Sequence, residues 1–460
     1  MQRTSVRRNR MAVIAAGGLL SLSMGVTSLQ ANASLNNLIM PKFFKDKGIE
    51  MGGWVNGGAT FNPSHSTLGY NGPVTFGDRA NQAQLNQFNI FLQRAVVTEG
   101  KSWDIGFRAD FMFGTDAIFT QAYGNPAADV NSGANLPTNA RGDWDLYLCC
   151  DSTRNYGIAL PQAFVEMYAP IANGLNVKVG HFYTPIGYES VPAPNNFFYS
   201  HAYTMQYGEP FTHTGVLTNY NVDKNVVFMS GAITGSGTGG WDGNFNRQMD
   251  NWGGIGGVTW TSDDKRSSAN IAGTGSQASS RSNAFWGMYS LVLKHMITPK
   301  THFILQHDHG YADNVVFGNL DRGQAQWYGI NTHMYYDVLH DFSIGVRGEW
   351  FRDRDGFRVW NPGRVSAGNN VGADGNIHSY AVHGGGNLSG TQASDYYAIT
   401  IGANWKPAKR LKIETKALQQ FNVRPNIRYD RADSLTTAAY RPFGGHKDQV
   451  LFSMDFTLPF

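Results

Sequence analysis

The segment Val450–Phe460 reads VLFSMDFTLPF. Val450, Phe452, Met454, Phe456, Leu458 and Phe460 are apolar, and Ser453, Asp455 and Thr457 alternate with them. Successive side chains of a strand point to opposite faces, so this segment has one apolar face and one wet face. The same period recurs at Trp103 to Phe113, where Trp103, Ile105, Phe107, Ala109, Phe111 and Phe113 oppose Asp104, Arg108 and Asp110. It recurs at Phe342 to Phe351, with Arg347 and Glu349 on the wet face, and at Tyr397 to Trp405. Leu411 to Phe421 also reads as a strand, with Lys412, Glu414 and Lys416 alternating with Leu411, Ile413 and Ala417. Each run is about ten residues long, the length of a tilted membrane strand.

The links between runs alternate in length. Short polar links are expected at Thr98 to Lys101, Pro170 to Gly174, Val222 to Asn225, Ser262 to Ser267, Met296 to Lys300, Asp337 to Asp341 and Pro407 to Arg410. The longest links are expected near Gly114 to Tyr156, Tyr183 to His213, Arg352 to Ser394 and Asn422 to Lys447. Short turns on one side and long loops on the other are the asymmetry of an outer-membrane barrel. The rhythm predicts an all-β fold: a transmembrane antiparallel β-barrel of about sixteen strands, with a range of fourteen to eighteen. The strands run from near Ile49 to Phe460, with short periplasmic turns and long extracellular loops. The least regular segments are Ser268 to Gly273 and Gly215 to Asn221. The chain holds 54 Gly, 13% aromatic and 15% charged residues. An average soluble domain has about 7% Gly and about 25% charge, so this composition suits a large sheet with tight turns and aromatic belts. A soluble sandwich or propeller would use fewer rings and lack the short-turn, long-loop pairing.

Both chain ends fit export. Arg3, Arg7, Arg8 and Arg10 precede an apolar run from Met11 to Val26, and Ala31-Asn32-Ala33 offers a cleavage site before Ser34. This is the three-part pattern of a secretory signal peptide over residues 1–33. Residues 34–48 then form a short periplasmic segment, too short for a plug domain, and residues 49–460 form the barrel. Phe456, Leu458 and the terminal Phe460 resemble the signal that the outer-membrane barrel-assembly machinery reads. After residue 33 no run approaches the roughly 18 apolar residues of a spanning helix. Net charge is +3, with no basic block for nucleic acid. The two cysteines, Cys149 and Cys150, are adjacent and cannot bridge distant strands.

If the apolar face meets lipid, the charges on the other face point into the lumen. That sends Arg108, Asp110, Lys178, Arg347, Glu349, Lys412, Glu414 and Lys416 inward, a lining of mixed sign. The stretch Val177 to Val216 contains GHFYTPIGYE, APNNFFYS and YGEPFTHTGV. These runs, together with Phe113-Gly114-Thr115-Asp116-Ala117, resemble the OmpL-like β-barrel porins of Gram-negative bacteria. The resemblance covers most of the mature chain and implies a porin fold and an outer-membrane location more firmly than any solute. Read from its residues, the stretch is a strand, Leu175 to Phe182, followed by a connection in which Pro185, Pro192, Pro194 and Pro210 block helix and central strand. It is the third long connection. By analogy with general porins it either folds into the lumen or packs outward on the rim. Glu189, Asn195, Tyr199, Tyr203 and Glu209 are its candidates for a constriction lining.

Other chemistries find little support. No G-x-S-x-G elbow and no H-E-x-x-H is present, so no catalytic residue is assigned. His302, His307, Asp308 and His309 are the best metal candidates. However, His307 and His309 on one strand sit about 7 Å apart, far for joint ligation, and no metal site or cofactor is assigned. Polar loops at Gly235 to Asn244 and His383 to Gly390 could bind surface partners. The expected function is passive diffusion of small hydrophilic solutes through a water-filled lumen. The alternative is a barrel that mainly serves surface binding, adhesion or cell-surface organisation. Expected partners are outer-membrane lipid and lipopolysaccharide, the assembly machinery and the solutes; a homotrimer stays open, because an apolar outer face suits a trimer and lipid equally.

Overall fold

The computed structural model describes residues 40–64, 69–98, 100–120, 156–234, 252–279, 282–316, 322–356, 358–359, 392–413 and 415–460. The expected export segment 1–33, Cys149, Cys150, Glu414 and the loop segments Gly235 to Asn244 and His383 to Gly390 lie outside them. The first eight strands are β1 (Ile49–Phe61), β2 (Gln82–Arg94), β3 (Asp104–Gly114), β4 (Gly157–Ala169), β5 (Leu175–Tyr183), β6 (Thr212–Asn221), β7 (Val226–Thr234) and β8 (Trp252–Thr261). The others are β9 (Ser267–Ser279), β10 (Ser282–Thr298), β11 (Thr301–Val316), β12 (Arg322–Leu339), β13 (Phe342–Asp353), β14 (Ser394–Trp405), β15 (Asn422–Ser434) and β16 (Asp448–Pro459). Each strand pairs antiparallel with its sequence neighbours, and β1 pairs with β16, so the sheet closes into one barrel without an edge. Closure satisfies the backbone along every strand, the condition for crossing a lipid bilayer. No helix of the described residues is long and apolar enough to cross a membrane.

Parity divides the wall as the sequence pattern predicts. Ile399, Ile401, Ile427, Phe452, Met454 and Phe456 are exposed on the outer face. Their neighbours Thr400, Arg428, Ser453 and Asp455 are buried on the inner face. The terminal Phe460 follows β16 and is held to β1 by two backbone hydrogen bonds, Gly53 N to Phe460 O at 3.0 Å and Phe460 N to Gly53 O at 2.9 Å. A side chain at position 53 would put its Cβ 2.7 Å from the Phe460 ring, so glycine there makes room for the closing aromatic.

The expected short links appear at one rim, and the irregular segments Gly215 to Asn221 and Ser268 to Gly273 lie within β6 and β9. One assignment is corrected. Leu411 to Phe421 is not a strand; it belongs to the connection between β14 and β15, which carries helical turns at Pro407–Arg410 and Lys416–Gln419. Pro407 cannot donate to a ladder, and it opens the first turn. Lys412 follows in the left-handed region at φ 51°, exposed on the turn. Lys412 and Lys416 therefore do not stand on the lumen wall. The strand that takes their place, β15, falls where a long connection was expected. Its Pro425 is accommodated because the β14–β15 ladder is interrupted between Gly402↔Asn426 and Trp405↔Val423.

Candidate functional site

Residues 184–211, the third connection at the long-loop rim, fold into the barrel lumen. Four prolines stop this segment from adding to the sheet. It forms instead one 3-10 turn at Ala193–Asn195 and one turn of π-helix at Thr204–Gly208. An irregular chain inside a barrel must find partners for its amides and carbonyls, and the wall supplies them.

Arginines on the inner face of β13 and β15 take four of the carbonyls. Arg347 Nη1 donates to Ser200 O at 2.7 Å, and Arg428 Nη1 donates to His201 O at 2.7 Å. Arg424 Nη1 donates to Ala193 O at 2.7 Å and to Asn196 O at 2.6 Å. On the far side, Gln87 of β2 donates to Val191 O at 2.8 Å and accepts from Ala193 N at 3.0 Å. Tyr199 donates to Asn86 of β2 at 3.0 Å. Trp327 and Asn331 of β12 donate to Gly208 O at 3.0 Å and Thr204 Oγ1 at 2.6 Å. The loop is thus bonded across the lumen from β2 to β12, β13 and β15.

The same arginines are neutralised where they stand. Arg347 meets Glu189 of the loop at 2.6 Å and Glu349 at 3.1 Å. Arg428 meets Glu349 at 3.1 Å and Asp430 at 2.7 Å, and Arg424 pairs with Asp455. Tyr203 closes the ring, its N–H donating to Glu349 at 2.6 Å and its hydroxyl to Asp430 at 3.0 Å. The planar guanidinium suits this role, since one group can hold a carboxylate and a carbonyl at once.

Of the residues singled out in the sequence, the structure gathers Glu189, Tyr199, Tyr203, Arg347 and Glu349 into this docking network, and Asn195 lies in the 3-10 turn beside it. Glu209 sits on the opposite stretch of the loop, against β11. Arg108 and Asp110 form a separate, buried pair on β3: Arg108 Nε to Asp110 Oδ1 is 2.6 Å, and the guanidinium lies 4.1 Å above the Phe91 ring. Lys178 is half-buried, 3.9 Å from Glu166 and 4.4 Å from the centre of the Phe164 ring. The histidine cluster splits across the wall. Asp308 points inward, whereas His307 and His309 flank Tyr289 on the outer face, with ring centres at 5.8 and 6.1 Å. Among the described residues no three His, Cys, Asp or Glu side chains come together as a metal site. The sequence reading missed Arg424, Arg428 and Asp430. The signal was present as a strict alternation, Arg424, Asn426, Arg428, Asp430 against Val423, Pro425, Ile427, Tyr429, but Pro425 hid it.

Glu209 and Asp308 are held by one amide. Gln306 Nε2 donates to both Asp308 oxygens at 2.9 Å and to Glu209 Oε2 at 3.4 Å. A Cβ at Gly187 would sit 1.8 Å from Glu209 Oε2, so only glycine admits the carboxyl there. Burial, then the charges of Asp308 and Glu189, push the Glu209 carboxyl well above its usual range. With the docked value raised above the undocked one, the docking contribution is complete at acid pH. It is lost as pH rises through the raised value. Hydrogen exchange of residues 184–211 in detergent is expected to show protection falling with rising pH, and Glu209→Gln to flatten that dependence. A wild-type profile independent of pH would contradict the acidic-pair account.

A family model described as "Putative beta-barrel porin-2, OmpL-like" matches residues 48–460. No curated protein matches the sequence. The anion-selective porin from Comamonas acidovorans superposes with a TM-score of 0.51 at 9% identity, covering 90% of this chain and 99% of that chain. The outer membrane channel DcaP of Acinetobacter baumannii aligns at a TM-score of 0.47 and 10% identity, covering 90% of this chain and 97% of that one. At such identities the Comamonas likeness speaks for the fold alone.

Proposed function

The chain belongs to the OmpL-like β-barrel porin-2 family, and from that premise we propose that it is an outer-membrane channel through which small hydrophilic solutes diffuse passively. The observation that supports this most is the loop 184–211, tied across the lumen of a closed barrel of sixteen strands. A barrel of this size without an insert leaves a wide aqueous opening, and an inserted loop narrows it. The passage runs beside the inner-face groups that keep partial exposure, among them Glu166, Lys178 and Lys294. Transport needs no reaction; the solute gradient drives it, and width and lining charge set the selectivity. In this reading residues 1–33 direct export, lipid surrounds the outer face, and the terminal Phe456, Leu458 and Phe460 are read during assembly.

Planar-bilayer recording of the mature protein tests the proposal. The expected result is stepwise, ohmic conductance with small steps, because so much of the inner wall is covered by the loop. A folded barrel that seals the bilayer yet binds surface ligands would overturn it in favour of an adhesion role.

A further inference from the structure

Lys294 differs from the wall arginines and from Lys178. The wall arginines Arg347, Arg424 and Arg428 are at most 1% exposed and each is matched to a carboxylate. Lys178 has Glu166. Lys294 lies on the inner face of β10, opposite Ser268 of β9 and Ile304 of β11, and remains partly exposed. Among the described residues it forms no ion pair. Asp308, opposite Ser290 four residues along β10, and Glu209 of the inserted loop are both buried and held by Gln306, and Glu189, next to Tyr188, is held by Arg347. Toward the turn rim, Asp337 is bound by His302 at 3.1 Å and by Ser343 at 2.6 Å.

One aromatic ring borders the ammonium, at the edge of an aromatic cluster. Its Nζ lies 5.0 Å from the centre of the Tyr188 ring. Tyr188 and Phe197 of the inserted loop pack on a buried cluster of Phe198, Val292, Ile304 and Tyr335. Phe197 stacks on Tyr335 at 4.2 Å. An unopposed ammonium costs desolvation energy, and an aromatic face returns only part of it. A carboxylate returns more through a charge-assisted hydrogen bond, and its hydrocarbon body would lie against the rings. We infer that Lys294, with Tyr188 and Phe197, forms a lumen site for small organic carboxylates that carry an aromatic or apolar body. The inference rests on the channel reading and names a solute class for it.

Benzoate is the probe, with benzamide as its uncharged counterpart and acetate as the carboxylate without a ring. Binding to the detergent-folded mature protein is measured by calorimetry, in parallel with interruption of single-channel current. Benzoate is expected to bind at least about tenfold more tightly than benzamide or acetate, as a charge-assisted contact added to ring packing would give. Lys294→Met should remove that preference and Lys294→Arg should keep most of it, with folding of each checked by heat-dependent electrophoretic mobility. Equal binding of benzoate and benzamide, or unchanged benzoate binding in Lys294→Met, would overturn the inference. A wild-type barrel that binds benzoate but never conducts would leave the site standing and refute the channel.

Discussion

Replacing Arg347 by alanine is expected to detach the inserted loop and enlarge the single-channel step while the barrel stays closed. Arg347 is fully buried and makes five hydrogen bonds that join the loop to the wall. It holds Glu189 and Ser200 of the loop, and Glu349 and Thr400 of the wall. Alanine leaves Glu189 a buried carboxylate without its guanidinium partner, whereas Glu349 keeps Arg428, and removing one member of a buried pair costs about 3–5 kcal/mol. That cost falls on the docked loop rather than on the strands, because the ladders of β13 with β12 and β14 do not pass through the side chain. Greater conductance should therefore accompany faster hydrogen exchange over residues 184–211, with strand exchange unchanged. Arg347→Lys should fall between, since a single ammonium cannot span carboxylate and carbonyl as the planar fork does. An unaltered step size together with unaltered loop exchange would show that Arg347 does not anchor the constriction.

Ile427→Arg is expected to destabilise the barrel in lipid vesicles by about 2–4 kcal/mol, the cost of a basic side chain near the bilayer midplane. Ile427 is half exposed on the outer face of β15, between Ile401 of β14 and Phe452 of β16. Arg428, one residue on, points inward and is fully buried between Glu349 and Asp430. The contrast is a direct measure of parity: an arginine tolerated at position 428 becomes costly at position 427. Equilibrium unfolding in urea with vesicles of fixed composition gives the difference. Ile427→Leu, which keeps the volume, should change stability by less than about 1.5 kcal/mol. Stability unchanged by Ile427→Arg would mean that this face does not meet hydrocarbon.

Much of the architecture was legible because a membrane barrel repeats one simple rule along each strand. Val450 to Phe460 shows apolar and polar residues in strict turn, and β16 carries them outward and inward as written. The rule failed between Trp405 and Asn422. There alternation of Leu411, Ile413 and Ala417 with lysines arose in a connection, and Pro425 disguised a true strand. A period of two is necessary for a wall strand but short runs meet it by accident, and a proline is tolerated where the ladder lapses. The site was less legible than the wall. Glu189, Tyr203, Arg347 and Glu349 could be named from pattern and family likeness, but not that they join in one network.

What the sequence by itself determined was the alternation of two solvents along the chain, and hence about sixteen strands, two faces and two unlike rims. That information is local, since each residue's face depends only on its place in its own strand. The tertiary structure alone decided which charges are spent and which are left. Arg347 looks like a free lining charge in sequence and Arg424 and Arg428 are hidden beside Pro425, yet the loop 184–211 and neighbouring carboxylates consume all three. Lys294 is left without an ion-pair partner among the described residues. Part of this neutralisation is local, as in Arg347 with Glu349 and Arg428 with Asp430, but Arg347 also meets Glu189, 158 positions away, at 2.6 Å, and closing the barrel creates that contact where no local pattern encodes it.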